Sequence, residues 1–437
     1  MALSKKPYKG CRDFHPIQMR VRDYIFSKMR TTAEQFAFEA YDGPLLEEVD
    51  LYLAKSGEEL INDQIYSFTD RGERKVAIRP EMTPTVARMV AGVHRETSKP
   101  IRWYSIPNLM RYERPQRGRL REHWQFNADI FGATEHLGEI EVLSLMDQLM
   151  KSFGANTQMY GILLNDRRVV DCIFKDLLAL TKEQSYKLYK VIDKAKKVNA
   201  EALDKMIADV IDDEQKREHF KSYLNLNSFD ELSSFLESHG LTESAQSFVE
   251  FVSKVKDLPI YESLQYDPTI VRGLDYYTGI VFEVFDKHPD NRRAIAGGGA
   301  YANLLQIFNE QPLAGIGFGL GDVTLKDFLE THKLLPDFTH ATNDLFIAYF
   351  DDNCESSAFK LASSLRAESM KVELNLGIIK FNKVFKLAQA KGHKYVAIFG
   401  SNELEKGVVQ IKNLETRDGT EINLTNTKEI KKYIKGN

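Results

Sequence analysis

The chain has 437 residues, of which 28% are charged and 43% hydrophobic, and its formal net charge at pH 7 is −4. This composition fits a globular protein of about three domains and excludes a polybasic DNA-binding protein, although local basic patches remain compatible with it. The three cysteines are far apart, which argues against a disulfide framework and a zinc site. Since no apolar signal segment or bilayer-length run is evident, we expect a cytoplasmic protein with no membrane contact.

The N-terminal part alternates between helical and strand patterns. The predicted elements are helix Pro16–Phe38, an amphipathic segment Glu47–Glu59, strands Ile65–Phe68 and Lys75–Ile78, helix Pro84–Val93 and strand Ile101–Leu109. The tripeptide Glu81-Met82-Thr83 lies at a strand end, where ligand-binding groups often occur. Glu81 and Thr83 are also residue types that favour the first turn of a helix, so helix capping is the alternative interpretation.

A dense group of arginines follows, around a turn at Gly118. The stretch from Arg111 to Arg121 contains five arginines in eleven residues: Arg111, Arg114, Arg117, Arg119 and Arg121. Guanidinium groups match phosphate oxygens two at a time, which favours a phosphate-binding hairpin. A basic surface hairpin explains these residues about as well.

The hairpin leads into a segment that alternates strictly between polar and apolar residues up to Gly132. The apolar positions are Trp124, Phe126, Ala128 and Ile130, and the polar positions are His123, Gln125, Asn127 and Asp129. A period of two predicts a strand with one face in a core. Its other face carries amides and a carboxylate, which are suited to binding a small polar ligand.

From about Asn165 to Leu264 the sequence is charged, helical and almost free of glycine. Thr181 and Gln184 form a predicted capping box. We interpret this segment as a helical insertion without a catalytic constellation. Its lysines at positions 194, 196 and 197 fit a solvated face better than an RNA contact.

Strand patterns return at Thr269–Phe285, where a polar cluster occurs between apolar strand ends. The cluster consists of Arg272, Asp275, Tyr276 and Tyr277. Burying such groups is costly unless they are paired or face a ligand.

Two glycine-rich segments follow. Ala296–Gly299 is predicted to open a helix at Tyr301–Phe308, and glycines there would let the backbone approach a ligand closely. Gly315–Gly321 is predicted to be a strand with glycine at every second position, which leaves one face bare for something flat, such as a nucleotide base. Asp322 is predicted to cap the next helix.

After a linker around Pro336, strands and helices alternate as in a small α/β domain. The predicted elements are strand Asp344–Tyr349, helix Ser356–Glu368, strand Lys371–Leu374, helix Phe381–Ala390 and strands Tyr395–Phe399 and Val408–Asn413. Five lysines between positions 380 and 394 lie near Phe381 and Phe385. Basic residues interleaved with aromatic ones suit single-stranded RNA, although a solvated helix explains the lysines alone.

Taken together, these motifs resemble the histidyl-tRNA synthetases, a family of class II aminoacyl-tRNA synthetases, over essentially the whole chain. Pro44 with its flanking helix resembles the first class motif, Arg111–Gly132 the second and Gly315–Gly321 the third. Residues 272–277, RGLDYY, resemble the histidine-specific signature.

The resemblance implies an α+β fold, in which an antiparallel sheet flanked by helices is followed by an anticodon-binding α/β domain. The implied boundaries are residues 1–330 for the catalytic domain, with residues 165–264 inserted, and residues 342–437 for the second domain. It also implies a homodimer that takes L-histidine, ATP with Mg²⁺, and tRNA(His).

Residue roles follow from the same resemblance. Its histidine site would comprise Glu81, Met82, Thr83, Arg111, Gln125, Asp129, Arg272, Tyr276 and Tyr277, with Asp129 binding the imidazole. Its ATP site would comprise Arg111, Glu113, Arg119, Arg121, Gly317 and Gly319. The implied catalytic residues are Arg111 and Arg272, and Arg272 takes the place that a metal ion has in other class II enzymes.

The chain departs from the family at two places. Asp322-Val323 stands where the family usually has Glu-Arg, and Ala300-Tyr301-Ala302 where it usually has Arg-Tyr-Asp. We therefore expect Arg119 and Arg121 to bind the ATP phosphates instead.

Two alternatives stand beside the synthetase interpretation. One is a non-catalytic regulatory subunit of ATP phosphoribosyltransferase, which the missing third-motif arginine favours and the C-terminal domain disfavours. The other is a class II synthetase for another amino acid, which the RGLDYY stretch disfavours.

Overall fold

A computed structural model describes residues 3–53, 64–271, 277–339 and 343–436. The chain divides into two compact units, the first made of Met1–Asp13 and Arg22–Leu335 and the second of Phe14–Val21 and Pro336–Asn437. Among the described residues, no helix is long and apolar enough to cross a membrane.

The elements up to residue 331 occur in the following order. They are α1 Pro16–Gln35, β1 Glu39–Ala40, β2 Leu46–Glu48, α2 Val49–Leu53, β3 Tyr66–Thr69, β4 Lys75–Ile78, α3 Thr83–Val93, β5 Ile101–Ser105, β6 Asn108–Met110, β7 Glu122–Phe131, α4 Leu137–Ser152, β8 Tyr160–Asp166, α5 Arg167–Cys172, α6 Lys182–Lys194, α7 Ala200–Ala208, α8 Glu214–Leu224, α9 Phe229–Ser238, α10 Gln246–Val255, β9 Leu264–Tyr266, β10 Ile280–Asp286, β11 Ala296–Tyr301, β12 Gly315–Gly321 and α11 Asp322–Thr331.

Within the described residues, nine strands form the main sheet of the first unit. Its order is β1-β5-β7-β12-β11-β10-β8-β9, with β6 paired to β7. All neighbours pair antiparallel except β1 with β5 and β8 with β9. Strands β7 and β12 are central, α4 packs against both, and Phe126 meets Phe318 edge-on at 5.6 Å between ring centroids. The predicted α+β class with an antiparallel-rich sheet is confirmed.

Helices α5 to α10 lie between β8 and β9, where the helical stretch Asn165–Leu264 was predicted. The stretch begins inside β8, since Asn165 and Asp166 still pair with β10. The capping box predicted for α6 is confirmed, with Thr181 accepting from the Gln184 N–H. Side-chain caps also start α5, α7, α8 and α9. Because each cap satisfies a backbone donor that the helix itself leaves unpaired, these short helices begin at defined residues.

Several predicted elements differ from the structure. Ala296–Tyr301 is a strand and not a helix start, because it pairs with both β10 and β12, and only a short 3-10 helix follows at Leu304–Phe308. Within the described residues of the segment Thr269–Phe285, a regular strand begins at Ile280. The predicted strand Ile101–Leu109 is divided into β5 and β6 around Pro107, which has no N–H for a ladder.

Two more differences concern the N-terminal segment and the third motif. The first residues of the segment Glu47–Glu59 complete the short strand β2, and the following residues form α2. The part beyond Leu53 lies outside the described residues. Asp322 does not cap α11 with its side chain. Its carboxylate instead accepts from the Trp124 N–H at 2.9 Å and pairs with Arg12 at 2.8 Å.

The second unit has its own five-stranded sheet in the described residues, in the order β14-β13-β15-β16-β17. Its elements are β13 Leu345–Tyr349, α12 Glu355–Ala367, β14 Val372–Leu374, α13 Phe381–Ala390, β15 Tyr395–Phe399, α14 Ser401–Glu405, β16 Val408–Asn413, β17 Gly419–Asn423 and α15 Thr427–Lys435. Alternate residues of β13 face two cores, one with α12 and α15 and the other with α13. The sequence prediction missed α14, β17 and α15, which are short and largely polar.

Candidate active site

A cavity of about 1010 Å³ lies on the polar face of β7 and β12. The predicted site residues that line it are Glu81, Thr83, Arg111, Glu113, Arg119, Gln125, Tyr277 and Gly319. Four others, Met82, Arg121, Asp129 and Gly317, do not belong to the lining. Arg272 and Tyr276 lie outside the described residues.

The alternating glycines of β12 make room for the polar side chains of β7. A Cβ on Gly317 would lie 2.0 Å from Asp129 Oδ1, and a Cβ on Gly319 would lie 2.6 Å from Gln125 Cδ. The space over the glycine face, predicted to hold something flat, is therefore partly filled by Asp129 and Gln125. Any larger residue at position 317 or 319 would displace one of these two side chains.

Asp129 is a buried carboxylate that accepts a single hydrogen bond from the described residues. The Tyr301 hydroxyl donates to its Oδ1 at 2.5 Å. Burial raises the pKa of Asp129 to about 7, and the hydrogen bond from Tyr301 opposes this rise. The charged form therefore lacks adequate solvation, and a ligand N–H beside Asp129 would stabilise it.

Two arginines bond the residues just before the Glu81–Thr83 turn to neighbouring segments. Arg79, buried, donates to Asp42 at 2.8 Å and to the Asn108 carbonyl at 3.0 Å. Arg111 Nε donates to the Pro80 carbonyl at 2.8 Å. Helix α3 begins at Thr83, and its N-cap residue, Met82, makes no capping bond from its side chain.

The arginine hairpin places only some of its guanidinium groups at the cavity. Arg119 Nε pairs with the buried Glu113 at 2.7 Å. Arg121 instead lies over the Tyr112 ring, 4.2 Å from its centroid, and donates to the Glu113 carbonyl and to the Tyr8 hydroxyl. Arg121 therefore stabilises the base of the hairpin, and the structure does not bring it to the cavity.

His123 also lines the cavity, on the same face of β7 as Gln125. Burial lowers the pKa of His123 to about 3, and the positive charges of Arg111 and Arg12 lower it further. The imidazole is therefore neutral at pH 7 and is a poor proton acceptor.

The predicted site residues do not include three residues of this region. Asn127 lines the cavity between Gln125 and Asp129, on the strand face that was predicted to suit a polar ligand. Tyr301 stands out in the sequence only for its place after the glycine run, and no local pattern marks Arg293. Among the described residues, no group of three or more His, Cys, Asp or Glu side chains could hold a metal ion.

The geometry can be compared with known proteins. Residues 10–323 match the family described as histidyl-tRNA synthetase, and residues 344–435 match the anticodon binding domain. The chain belongs to the histidyl-tRNA synthetase family. A histidine–tRNA ligase of Leptospira biflexa is 41% identical to it over 419 residues, which cover 95% of this chain and 94% of that protein.

Solved structures share the fold of this family member. A histidyl-tRNA synthetase from a Nostoc species has a TM-score of 0.82 at 20% identity and covers 99% of this chain and 100% of its own. A Bacillus halodurans protein described as an ATP phosphoribosyltransferase regulatory subunit/histidyl-tRNA synthetase has a TM-score of 0.76 at 19% identity and covers 92% and 100%. The fold alone therefore does not separate a synthetase from a regulatory relative, whereas the curated ligase favours the synthetase.

The anticodon-binding unit of this histidyl-tRNA synthetase family member carries a surface of aromatic rings and lysines around Phe381. Phe381 is 52% exposed and meets Phe385 at 5.2 Å between ring centroids, and Lys412 Nζ lies 5.3 Å from the Phe385 ring. Of the five lysines, Lys391 pairs with Glu373 and Lys394 with Glu415. The other three, at positions 380, 383 and 386, are exposed.

Proposed function

We propose that the chain activates L-histidine with ATP and transfers the histidyl group to tRNA(His). Its family and its near-full-length relatives make it a histidine–tRNA ligase. The observation that carries the assignment to this cavity is that Gln125 and the Arg119–Glu113 pair line one continuous space. One part is suited to an amino acid with a polar ring and the other to an anion.

Histidine would bind over the polar face of β7. The Asp129 carboxylate would accept the imidazole N–H, which offsets the cost of its burial. Gln125 would contact the same substrate, since both side chains lie above the glycines of β12. By family resemblance, Glu81 and Thr83 would hold the α-amino group, with Met82 fixing the turn between them and Tyr276 and Tyr277 closing the pocket.

ATP would occupy the hairpin side of the cavity. Arg111 would neutralise the histidine carboxylate and the α-phosphate, and Arg119 the outer phosphates, since guanidinium groups bind phosphate oxygens in pairs. By family resemblance, Glu113 would lie near the adenine and Gly319 beneath the nucleotide. Gly317, which Asp129 covers, would contribute only by making room for that carboxylate. By family resemblance, Mg²⁺ would enter with the triphosphate.

The reaction has two displacement steps. A histidine carboxylate oxygen attacks the α-phosphorus, the bond from that phosphorus to the pyrophosphate oxygen breaks, and pyrophosphate leaves. The terminal ribose hydroxyl of tRNA(His) then attacks the adenylate carbonyl, and AMP leaves. Such steps depend on positioning and on charge neutralisation more than on a covalent nucleophile. By family resemblance, Arg272 would stabilise the charge on the α-phosphate.

We further propose a cytoplasmic homodimer whose second unit binds the anticodon. The exposed Phe381 and its lysines support the anticodon contact, because aromatic rings stack on unpaired bases while lysines neutralise phosphates. The homodimer and the cytoplasmic location rest on the family resemblance.

Pyrophosphate exchange tests the proposal. Only histidine, among the twenty amino acids, should stimulate ATP–pyrophosphate exchange, and Arg272→Ala should reduce it at least tenfold, about 1.4 kcal/mol. Exchange that no amino acid stimulates would instead favour a regulatory relative, and exchange with another amino acid would contradict the histidine assignment.

A further inference from the structure

The position where the family usually carries an arginine for ATP holds Val323, which lines the cavity at the start of α11. Valine has no hydrogen-bond donor in its side chain. The preceding Asp322 cannot compensate, because its carboxylate is negative and already bonded to Trp124 N–H and Arg12. The outer phosphates therefore need a cation from elsewhere in the chain.

Arg293 lies beside this position, in the segment between β10 and β11. A Cβ on Gly118 would lie 2.9 Å from Arg293 Cδ and 3.2 Å from Thr324 Cγ2, so the arginine stem, the hairpin turn and the first turn of α11 meet at one point. Gly118 has φ +71, and its missing side chain leaves the space that the Arg293 stem fills. Arg293 also lines the cavity together with Val323.

The segment that carries Arg293 is fixed by hydrogen bonds on both sides. The Ile295 carbonyl accepts from the Thr324 hydroxyl and from the Gly321 N–H, both at 3.3 Å. On the other side, Asn291 accepts from Arg117 at 2.8 Å and donates to Asp286 at 2.6 Å. These bonds join the segment to α11 and to the arginine hairpin, so Arg293 has a defined position between the two.

The charges at this point do not balance. Glu113 is the carboxylate that pairs with Arg119, at 2.7 Å. Arg293 makes no ion pair or hydrogen bond with the residues that the structure describes. Burial lowers its pKa, and the neighbouring positive charge of Arg119 lowers it further, against the effect of Glu113. Two guanidinium groups thus lie near a single carboxylate, which pairs with only one of them. An anion placed between the two would neutralise the excess charge.

We propose that Arg293 binds the outer phosphates of ATP together with Arg119, and so replaces the arginine that Val323 lacks. This inference rests on the proposed function, because it assigns a residue to the phosphate end of that same site. It also revises the expectation that Arg121 takes this role, since Arg121 is bonded to Tyr8 and to the Glu113 carbonyl.

Kinetics of exchange test the assignment. Arg293→Ala should raise the KM for ATP and for pyrophosphate at least tenfold, about 1.4 kcal/mol, while the KM for histidine changes less than about threefold, under 0.7 kcal/mol. Arg71→Ala removes the same charge from an exposed turn away from the cavity and should change neither. Adding Val323→Arg to Arg293→Ala should recover most of the ATP affinity, because the new guanidinium would start from the neighbouring cavity wall.

The results separate this inference from the proposed function. Histidine-dependent exchange in the wild type with an unchanged ATP KM in Arg293→Ala would overturn the Arg293 assignment alone. If the wild type shows no exchange, the proposed function fails, and calorimetric titration with ATP still decides the assignment: equal affinity of wild type and Arg293→Ala overturns it, and weaker affinity of the variant supports it. Equal losses of ATP and histidine affinity would indicate a structural effect and would also overturn it.

Discussion

Replacing Asp129 with asparagine should weaken histidine binding and stabilise the ligand-free protein in the same experiment series. Asp129 is 4% exposed and has one hydrogen bond from Tyr301. Its burial raises the pKa from 3.8 to about 7, so this group favours folding fully below pH 3.8, and that contribution is lost as the pH rises through about 7. The difference between these two pKa values corresponds to up to about 4 kcal/mol in the free energy of unfolding.

The expected stability gain of Asp129→Asn follows from this energy difference. If the neutral amide recovers about half of the 4 kcal/mol, the melting temperature at pH 8 should rise by about 3 °C, because a unit of this size unfolds with an entropy of about 0.7 kcal/mol/K. The gain should shrink as the pH falls to 5, because the wild-type carboxyl is then protonated. Histidine-dependent exchange should show a KM for histidine that is raised at least tenfold, since a charge-assisted hydrogen bond contributes about 1.5–3 kcal/mol.

The assay is thermal unfolding of the ligand-free chain at pH 5 and pH 8, combined with exchange kinetics. Tyr301→Phe supplies a second test: loss of its hydrogen bond should raise the pKa of Asp129 further, so histidine affinity should fall near pH 7 and recover at higher pH. Tyr104→Phe removes a comparable tyrosine–carboxylate bond to Glu34, at 3.2 Å, and should leave histidine affinity unchanged. A stability gain that is the same at both pH values, or an unchanged KM for histidine, would refute the reasoning.

Two further substitutions test the site and the second unit. Gly317→Ala should raise the KM for histidine at least tenfold, about 1.4 kcal/mol, because its Cβ would lie 2.0 Å from Asp129 Oδ1. The control Gly92→Ala, at a position in α3 with open space around it, should be neutral or slightly stabilising. Equal behaviour of the two variants would contradict the role of the bare strand. Phe381→Ala should weaken aminoacylation of tRNA(His) by about tenfold, since base stacking on an aromatic ring contributes about 1–3 kcal/mol, and it should leave pyrophosphate exchange unchanged; loss of both activities would argue against a role confined to tRNA binding.

Local sequence patterns determined most elements of this chain. The strict alternation of residues 123–130 fixed both the strand β7 and its polar face, because side chains of a strand point alternately to opposite sides. Capping residues such as Thr181 likewise set helix starts, since they bond to backbone groups only three residues away. In the second unit, α13, β15 and β16 have the predicted bounds, because each is a short segment with a clear apolar period.

Long-range pairing decided the remainder. The glycines at 297–299 look like the approach to a helix, yet they form β11, because strands on both sides offer hydrogen-bond partners that no local pattern shows. The sequence likewise marked Gly317 as a glycine inside a strand and Asp129 as a carboxylate on a strand face. Only the register of β12 with β7 shows that the glycine makes room for the carboxylate. Arg293 is 174 residues from Arg119. The two come close only because the sheet places the β10–β11 segment beside the hairpin turn at Gly118, and their Coulomb interaction acts through space and not along the chain.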